Sequence, residues 1–277
     1  MNILLHHDLQ FALLRCPKVL LQVMKQWGPR VVVGGGFLRA SIAREDISDV
    51  DVFTQSKDDA YALAELLVRL RLGYRPIASA DDLAKKAEED KAVTARIHIT
   101  DNAYTLTCFH PVVQIIHRWT YRYPEDIIDS FDFTVAKAVF WHERENGNWR
   151  SLCHDRFYPD LAAKRIVYTS PIRNEDAGGS MLRVLKFYQK GYRIPLDSLG
   201  RVIARLCGAY EPTKEEWNAR KLDEGYMSKI FTGLLREVDP NIDPSHVAHL
   251  PAEETTNPNP ITENHKEPTY ANPDTAH

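Results

Sequence analysis

The feature that most constrains this chain is a β-branched run that ends in three glycines and is soon followed by a second short strand. Val31–Val33 leads into Gly34–Gly36, and Asp49, at the beginning of the strand segment around Val50–Phe53, lies fourteen residues after Gly35. Glycine permits backbone conformations closed to other residues and lets a ligand approach the main chain closely. We therefore expect a strand–turn–helix unit whose turn faces a ligand, followed by a strand that contains two carboxylates.

The composition is that of an ordinary globular protein. Of the 277 residues, 44% are hydrophobic and 26% are charged, which excludes collagen-like, fibrous and fully disordered chains. No apolar run approaches the length of a membrane helix, and the first residues lack the features of a secretion signal. The four cysteines are far apart in the sequence. These observations predict a cytoplasmic protein without membrane contact.

The C-terminal stretch has a different composition from the rest of the chain. Pro251–His277 is rich in Pro, Asn, Thr and Glu and holds five acidic residues and one basic residue. Such a stretch cannot bury enough apolar surface to fold, so residues 249–277 are predicted to be a disordered acidic tail. The remaining 34 basic and 33 acidic residues nearly cancel. A nearly neutral body argues against long nucleic-acid contacts but permits a local basic patch.

Apolar spacing along the chain predicts an α/β module followed by an α-rich one. Helices are expected at Asp8–Trp27 with a break at Pro17, at Lys57–Leu72 and at Asp81–Lys91. Strands are expected at Arg30–Val33, Val50–Phe53, Thr94–Thr100, Tyr104–Cys108 and Val112–His117. After Pro124 the pattern becomes mostly helical.

The glycine turn and the two acidic residues together suggest a metal–nucleotide site. Gly35 and Gly36 would let a phosphate reach the N-terminus of the following helix, and Arg39 would add a cation. Asp49 and Asp51 are two apart on a strand, so they lie on the same face of the sheet. Paired carboxylates repel each other unless a cation lies between them, and Mg²⁺ prefers such oxygen ligands. Taken alone, three glycines after a strand are more often just a turn, and an Asp-x-Asp pair is common at strand edges.

The same residues resemble a known family. Gly35-Gly36-x-x-Arg39 followed by Asp49-x-Asp51 resembles the head of nucleotidyltransferases of the DNA polymerase beta superfamily, closest to bacterial-type CCA-adding enzymes and bacterial poly(A) polymerases. Three later segments resemble the Arg-Arg-Asp-Phe-Thr-x-Asn-Ala motif, the Asp-Leu…Arg-x-Ile stretch and the Leu-Arg-Ala-x-Arg-Phe-Ala…Gly-Phe helix of that branch, in the family's order: Phe131–Ala138, Asp160–Ile166 and Met181–Ile194.

The chain also departs from the family pattern. Ala40, Phe131 and Ala136 replace an Asp, an Arg and an Asn of the family motifs, and Gln114 stands roughly where a strand Glu is expected. The base-selecting Glu-Asp-x-x-Arg motif is not recovered, because Glu175-Asp176 is followed by Ala-Gly-Gly. About fifty-five residues separate Ile194 from the acidic tail, too few for the family's tRNA-gripping body. The nucleotide head is therefore expected to be kept and ordered C-C-A addition to be lost.

The resemblance implies an α/β (α+β) fold with a small mixed sheet and flanking helices. The nucleotidyltransferase head is expected over residues 1–123, and a helical neck and short body over residues 124–248. Asp49 and Asp51 are predicted to be catalytic and to hold Mg²⁺. The residues predicted to contact the nucleotide are Gly35, Gly36, Arg39, Asp132, Thr134, Arg183 and Lys186.

The reaction that the resemblance implies is template-independent transfer of a nucleoside monophosphate from a nucleoside triphosphate to an acceptor hydroxyl. The expected acceptor is an RNA 3′ end, with tRNA as one candidate, and ATP is an expected donor. Two alternatives stay open: transfer to a protein or small molecule, as toxin-like members of the superfamily do, and a degenerate, non-catalytic nucleotide or RNA binder. The sequence specifies neither the acceptor, the base preference nor the oligomeric state.

Two further groups of residues carry expectations. Asp129 and Asp132 are interpreted as sharing one face of a helix, and Arg183 and Lys186 are three apart on another helix, where both could reach phosphates. The segment from Arg118 to Tyr123 mixes aromatic and basic residues. It is interpreted as an amphipathic strand edge, with RNA stacking as the alternative.

Overall fold

The computed structural model describes residues 1–74, 83–169 and 177–206. The helices in these ranges are α1 (His6–Arg15), α2 (Lys18–Trp27), α3 (Gly36–Ala43), α4 (Lys57–Leu72), α5 (Leu83–Thr94), α6 (Pro124–Ser130), α7 (Phe157–Ala162), α8 (Ala177–Gln189) and α9 (Leu196–Leu206). The strands are β1 (Val31–Gly34), β2 (Asp49–Thr54), β3 (Ile97–Ile99), β4 (Ala103–Leu106), β5 (Val112–Ile116), β6 (Ala138–His142) and β7 (Trp149–Cys153). No helix in these ranges is long and apolar enough to cross a lipid bilayer.

The seven strands form one mixed sheet in the order β3-β4-β5-β2-β1-β6-β7. Strands β2 and β5 pair in parallel, and the other neighbouring pairs are antiparallel. Helices flank the sheet, as the sequence predicted. The strand β2, which contains both acidic residues, lies near the middle of the sheet and is therefore held from both sides.

The two faces of the sheet are covered differently. The core face presents side chains such as Val33, Val52 and Val113 to the main hydrophobic core, which also includes residues of α1 to α4. The opposite face, which we call the site face, contains Asp49, Asp51 and Phe53, because residues alternate between faces along β2. Helix α6 packs on the site face at β1, β6 and β7. The carboxylates therefore lie on the face away from the main core.

The predicted elements ahead of residue 124 are confirmed with small shifts of their ends. The break at Pro17 separates α1 from α2, and the three strands expected between residues 94 and 117 are β3, β4 and β5. The described residues after Pro124 are mostly helical, as predicted, but two strands there were missed: β6 and β7 extend the sheet beyond β1. The sheet therefore runs past residue 123, where the sequence placed the end of the head. Residues 170–176 and 207–277, which include Glu175-Asp176, much of the expected body and the whole tail, lie outside the described residues.

A buried carboxylate joins the segments that follow the sheet. Asp160 is fully buried, and its Oδ1 accepts hydrogen bonds from Nη2 of Arg156 at 3.1 Å and of Arg165 at 2.8 Å. The Thr134 hydroxyl donates to Asp160 Oδ2 at 2.7 Å. Burial would raise the pKa of Asp160, but the hydrogen bonds outweigh that effect and hold the pKa below its usual range. The Asp160–Ile166 motif is thus an ion-pair network that fixes the chain after β7.

Replacing Asp160 with Asn should destabilise the protein strongly. The substitution keeps the volume but removes the charge that two arginines share, and loss of one partner of a buried pair costs about 3 kcal/mol. Urea unfolding measures the change. Asp197→Asn is the matched control, because Asp197 is 75% exposed and 3.8 Å from Arg201, and should cost under about 1 kcal/mol. Equal effects of the two substitutions would contradict a structural role for the Asp160 network.

Candidate active site at the start of strand β2

The two carboxylates of β2 lie directly beside the glycine turn. Asp51 is paired with Gly34 of β1 on one side and with Gln114 of β5 on the other. The next residue, Gly35, has a φ of 73°, a conformation that glycine adopts at little cost. A Cβ added to Gly35 would lie 3.5 Å from Asp51 Oδ2. The turn and the carboxylates, predicted separately from sequence, therefore form one site.

The turn leads into α3 with its helix N-terminus towards the site. The Gly35 N–H donates to the Ala138 carbonyl at 3.0 Å, so Gly35 acts through its conformation and not through a free donor. A Cβ on Gly36 would meet nothing within 4 Å among the described residues. Because the first N–H groups of a helix have no partner within the helix, the start of α3 can accept an anion in that space.

Asp51 is in an environment that disfavours its ionised form. Burial, and then the negative charge of Asp49, raise the pKa of Asp51 to about 7, while the positive charge of Arg183 opposes the shift. The Ser48 hydroxyl donates to Asp49 Oδ1 at 2.9 Å. A divalent cation bound between the two carboxylates would remove the repulsion that this pKa records. The pair therefore fits Mg²⁺, which takes carboxylate oxygens as ligands.

Gln114 is the neighbour of Asp51 across the β2–β5 pair. Residues paired in a parallel ladder point to the same face of the sheet, so the amide lies next to the carboxylate. Within the described parts of the chain, no third His, Cys, Asp or Glu joins the pair to form a metal-binding group. The amide oxygen of Gln114 is a weaker ligand than a carboxylate because it carries no charge.

Helix α8 brings a cation close to the carboxylates. Arg183 Nε donates to Asp132 Oδ2 at 2.7 Å, and the Ser180 hydroxyl donates to the same oxygen at 2.9 Å. Asp132 is 3% exposed, so it orients Arg183, whose charge acts on Asp51. The interpretation of Asp129 and Asp132 as one helix face is wrong, because α6 ends at Ser130. Asp132 lies at a bend two residues after the helix ends.

A further cation near the site was not predicted from sequence. Partial desolvation, and next the charge of Arg39, lower the pKa of Lys190, while carboxylates that include Asp49 oppose the shift. Lys190 therefore lies within electrostatic reach of both groups. It follows Arg183 by seven residues, two helical turns, and Lys186 lies between them on an exposed position of α8. The seven-residue spacing between Arg183 and Lys190 was the sequence signal that could have identified Lys190.

Arg39 lies in a contact that joins the head to α8. Its side chain is 9% exposed, and its Nε donates to Glu45 Oε2 at 3.1 Å. The Tyr192 hydroxyl donates to the other oxygen of Glu45 at 2.7 Å, and the Arg39 guanidinium lies 4.9 Å from the centroid of the Phe187 ring. We call this group of four residues the neck clamp. Its contacts favour a bracing role for Arg39, and the phosphate contact stays a prediction.

The motif that begins at Phe131 is placed partly in the site and partly in the interior. The Phe131 ring lies 3.1 Å from the position that a Cβ of Gly35 would take, and its centroid is 5.7 Å from that of Phe53. Thr134 is fully buried, with its hydroxyl directed to Asp160. Its described role is therefore structural, and nucleotide contact by Thr134 stays a prediction. Of this motif, Phe131 is the residue whose ring lies beside the glycine turn.

The aromatic–basic segment after β5 is not a strand edge, which corrects that interpretation. Residues 117–123 have no strand structure. Tyr121 is buried and packs edge-on against Phe53, with ring centroids 5.7 Å apart. Arg118 lies over the ring of Trp119 at 5.0 Å. The segment thus covers part of the site face next to α6.

Replacing Asp51 with Asn should stabilise the protein in EDTA at pH 8. Because the pKa of Asp51 is raised in the folded state, ionising this carboxyl lowers the free energy of unfolding. The protein therefore loses stability as the pH rises through about 7. Allowing for screening at a partly exposed site, the gain is about 2 kcal/mol. Urea unfolding should show the gain shrinking as the pH falls from 8 to 5. Asp129→Asn, at an exposed position, is the control and should show no such trend. An Asp51→Asn variant less stable than wild type at pH 8 would contradict a raised pKa at Asp51.

Two solved structures resemble this fold across most of the chain. The first is the Thermotoga maritima CCA-adding enzyme complexed with tRNA, with 16% identity, a TM-score of 0.52, and coverage of 88% of this chain and 52% of the other. The second is a CCA-adding enzyme with CTP, with 15% identity, a TM-score of 0.51, and coverage of 90% and 53%. The chain spans about half the length of these enzymes. At this identity the similarity establishes a nucleotidyltransferase-like fold.

The chain was also compared with curated proteins and with protein families. No curated protein matches it. Residues 13–164, more than half of the chain, match the family described as Gad2, Gabija anti-defense 2. The whole seven-stranded sheet and the whole glycine–carboxylate site lie inside this range. The protein is therefore a member of the Gabija anti-defense 2 family with a nucleotidyltransferase-like fold.

Proposed function

We propose that this protein is a metal-dependent nucleotidyltransferase that moves a nucleoside monophosphate from a nucleoside triphosphate to an acceptor hydroxyl. The observation that supports this most directly is the position of Asp51. It lies between Gly34 and Gln114 in the sheet, beside the turn that begins α3. Paired carboxylates next to a helix N-terminus combine a metal site with a phosphate site, which is the combination that phosphoryl transfer needs.

Asp49 and Asp51 are the residues that would hold Mg²⁺. When bound there, Mg²⁺ would neutralise charge on the triphosphate as pyrophosphate leaves and would favour attack by the acceptor hydroxyl. Ser48 fixes one oxygen of Asp49 by its hydrogen bond. The Gly35 turn lies close to both Phe131 and Asp51, because a Cβ at Gly35 would lie 3.1 Å from the Phe131 ring and 3.5 Å from Asp51 Oδ2.

The phosphates are bound from two sides in this proposal. The first N–H groups of α3 face the open space beside Gly36. On the other side, α8 presents Arg183 and Lys186, with Lys190 just beyond its end. Asp132 positions Arg183 through its hydrogen bond. A cation near the leaving phosphates stabilises the charge that develops there.

The acceptor proposed here is an RNA 3′ end. The two structural neighbours are described as complexes with tRNA and with CTP, which supports nucleic-acid and nucleoside triphosphate partners in kind. Phe131 stands where the family has an arginine, so the sugar or base would meet an aromatic ring. Stacking on a ring tolerates every base. We therefore expect one or a few nucleotides to be added without strict base choice.

The family match favours a second candidate with the same chemistry and a different acceptor. The matched family is described by an anti-defense role. A protein that counters a defence system could inactivate a component of it by attaching a nucleotide to a protein side chain. The same transfer assay distinguishes the two acceptors, because the label appears either on RNA or on protein.

Asn substitutions at Asp49 and Asp51 should each abolish transfer. Removing either charge leaves one carboxylate to hold the metal, and loss of a metal ligand should lower the rate at least about a hundredfold. The measurement is incubation with each α-³²P-labelled triphosphate, Mg²⁺, and total RNA or cell lysate, followed by separation of RNA from protein. Asp129→Asn, on an exposed position of α6, is the matched control.

Retention of near-normal transfer by either Asn variant would refute the two-carboxylate mechanism. If the wild-type protein binds triphosphate but transfers no nucleotide to RNA or to protein, this would support a non-catalytic binder instead of an enzyme. Label on protein that is lost in the Asp51→Asn variant would support the second candidate. Circular dichroism confirms that each variant is folded.

A Glu at position 114 should strengthen the metal site. Gln114→Glu places a third carboxylate next to Asp51 in the ladder, and a charged ligand binds Mg²⁺ better than an amide does. We expect the Mg²⁺ concentration for half-maximal transfer to fall about fivefold. Gln114→Ala serves as the control and should leave this concentration within about twofold. A higher Mg²⁺ requirement in the Glu variant would contradict the placement of Gln114 beside the metal.

A further inference from the structure

The site face continues beyond Asp51 as a row of polar side chains. The registers of four neighbouring strands align His98 of β3, Thr105 of β4 and Gln114 of β5 with Asp51 of β2. All four residues belong to one face, because residues paired across a sheet point the same way. With strands about 4.8 Å apart, the row spans about 14 Å and ends at the carboxylates.

Within residues 1–74, 83–169 and 177–206, this half of the site face is open, whereas the other half is covered. Across β1 and β6 the face is buried beneath α6 and residues 117–123, and Val139 is fully buried. His98 is exposed, and Thr105 and Gln114 are half-buried. Among the described helices, α4 and α5 are those that pack extensively on β3 to β5. Their apolar residues join the main core, so they lie on the core face.

The open half has the chemistry of a surface for a polyanion. Strands β3, β4 and β5 contain no Asp or Glu. Arg96 lies in the turn directly before β3. The Thr107 N–H donates to the Arg96 carbonyl at 3.1 Å, so the antiparallel pairing of β3 with β4 continues by one residue. Arg96 is two residues before His98 in this pairing, which puts both on the same face. Arg, His, Thr and Gln are side chains that proteins use to contact phosphates and sugars.

We propose that this surface, formed by Arg96, His98, Thr105 and Gln114, binds the single-stranded end of an RNA acceptor and directs its 3′ hydroxyl to Asp51. The proposal rests on the proposed function. A protein partner fits this surface less well, because the cores of protein interfaces are built from aromatic and apolar side chains. A strip of about 14 Å also agrees with a body that is nearly neutral, since it needs only a few phosphate contacts.

The test compares two double variants of the full-length protein. Arg96→Glu with His98→Glu reverses the charge of the surface. Gln22→Glu with Lys25→Glu makes the same total change on exposed positions of α2, which packs on the core side. The probe is a fluorescein-labelled single-stranded RNA of random sequence, and its binding is measured by anisotropy at low salt. Binding of ATP with Mg²⁺ is measured separately by calorimetry.

We expect the surface variant to bind the RNA at least about fivefold more weakly, because each lost phosphate contact removes counterion release. The α2 variant should stay within about twofold of wild type, and ATP binding should be unchanged in both variants. If the charge reversals unfold the protein, Arg96→Gln with His98→Gln replaces them, with an expected loss of about threefold. Thermal unfolding verifies the fold of every variant.

Equal RNA affinities in the surface and α2 variants would overturn the proposal, and so would a wild-type protein that does not bind the RNA. Loss of label from protein, but not from RNA, in the surface variant would assign the surface to a polypeptide instead. Asp51→Asn separates this inference from the proposed function, because that variant should lose transfer and keep RNA binding. If the wild-type protein transfers no nucleotide but its RNA binding is weakened by the surface substitutions, the RNA-binding surface is supported and the proposed enzymatic function is refuted.

Discussion

Repulsion between Asp49 and Asp51 is the constraint around which this part of the molecule is organised. Their negative charges are held on neighbouring same-face positions of β2, and burial raises the cost of ionising Asp51. The helix N-terminus of α3 and the charge of Arg183 from α8 both place positive potential next to them. A strand buried on its opposite face cannot twist away to relieve the repulsion. The fold thus keeps an unfavourable charge pair in place, as the proposed Mg²⁺ site would require.

Local sequence predicted the centre of this site well, because its signals are short. The glycine turn and the Asp-x-Asp strand each depend on residues within a few positions of one another. Helix α4 was predicted with the bounds that the structure shows, Lys57–Leu72. Strands β6 and β7 were missed for a physical reason. Most of β6 is buried on both faces, so it lacks the alternation that marks a half-exposed strand, and a short apolar run does not distinguish strand from helix.

Contacts between distant segments could not be predicted in the same way. The hydrogen bond from Tyr192 to Glu45 joins residues 147 positions apart, and nothing near either residue indicates the other. The motif around Asp132 was recognised, and nucleotide contact by Asp132 stays a prediction, but its hydrogen bond with Arg183 was not predicted. Its carboxylate orients Arg183 from the interior. Motifs of this kind preserve the geometry around the site, and a motif alone does not say whether its residues touch the substrate or position those that do.

The neck clamp has a consequence for how mutagenesis of this protein should be interpreted. Glu45 lies in the loop that leads into β2, and it is held by Arg39 from α3 and by Tyr192 from the segment after α8. A substitution in any of the three would remove a contact that holds the loop leading to Asp49. An alanine scan that scores only turnover would count these residues as part of the chemistry. Separating the two classes requires a binding or stability measurement for each variant, alongside the rate.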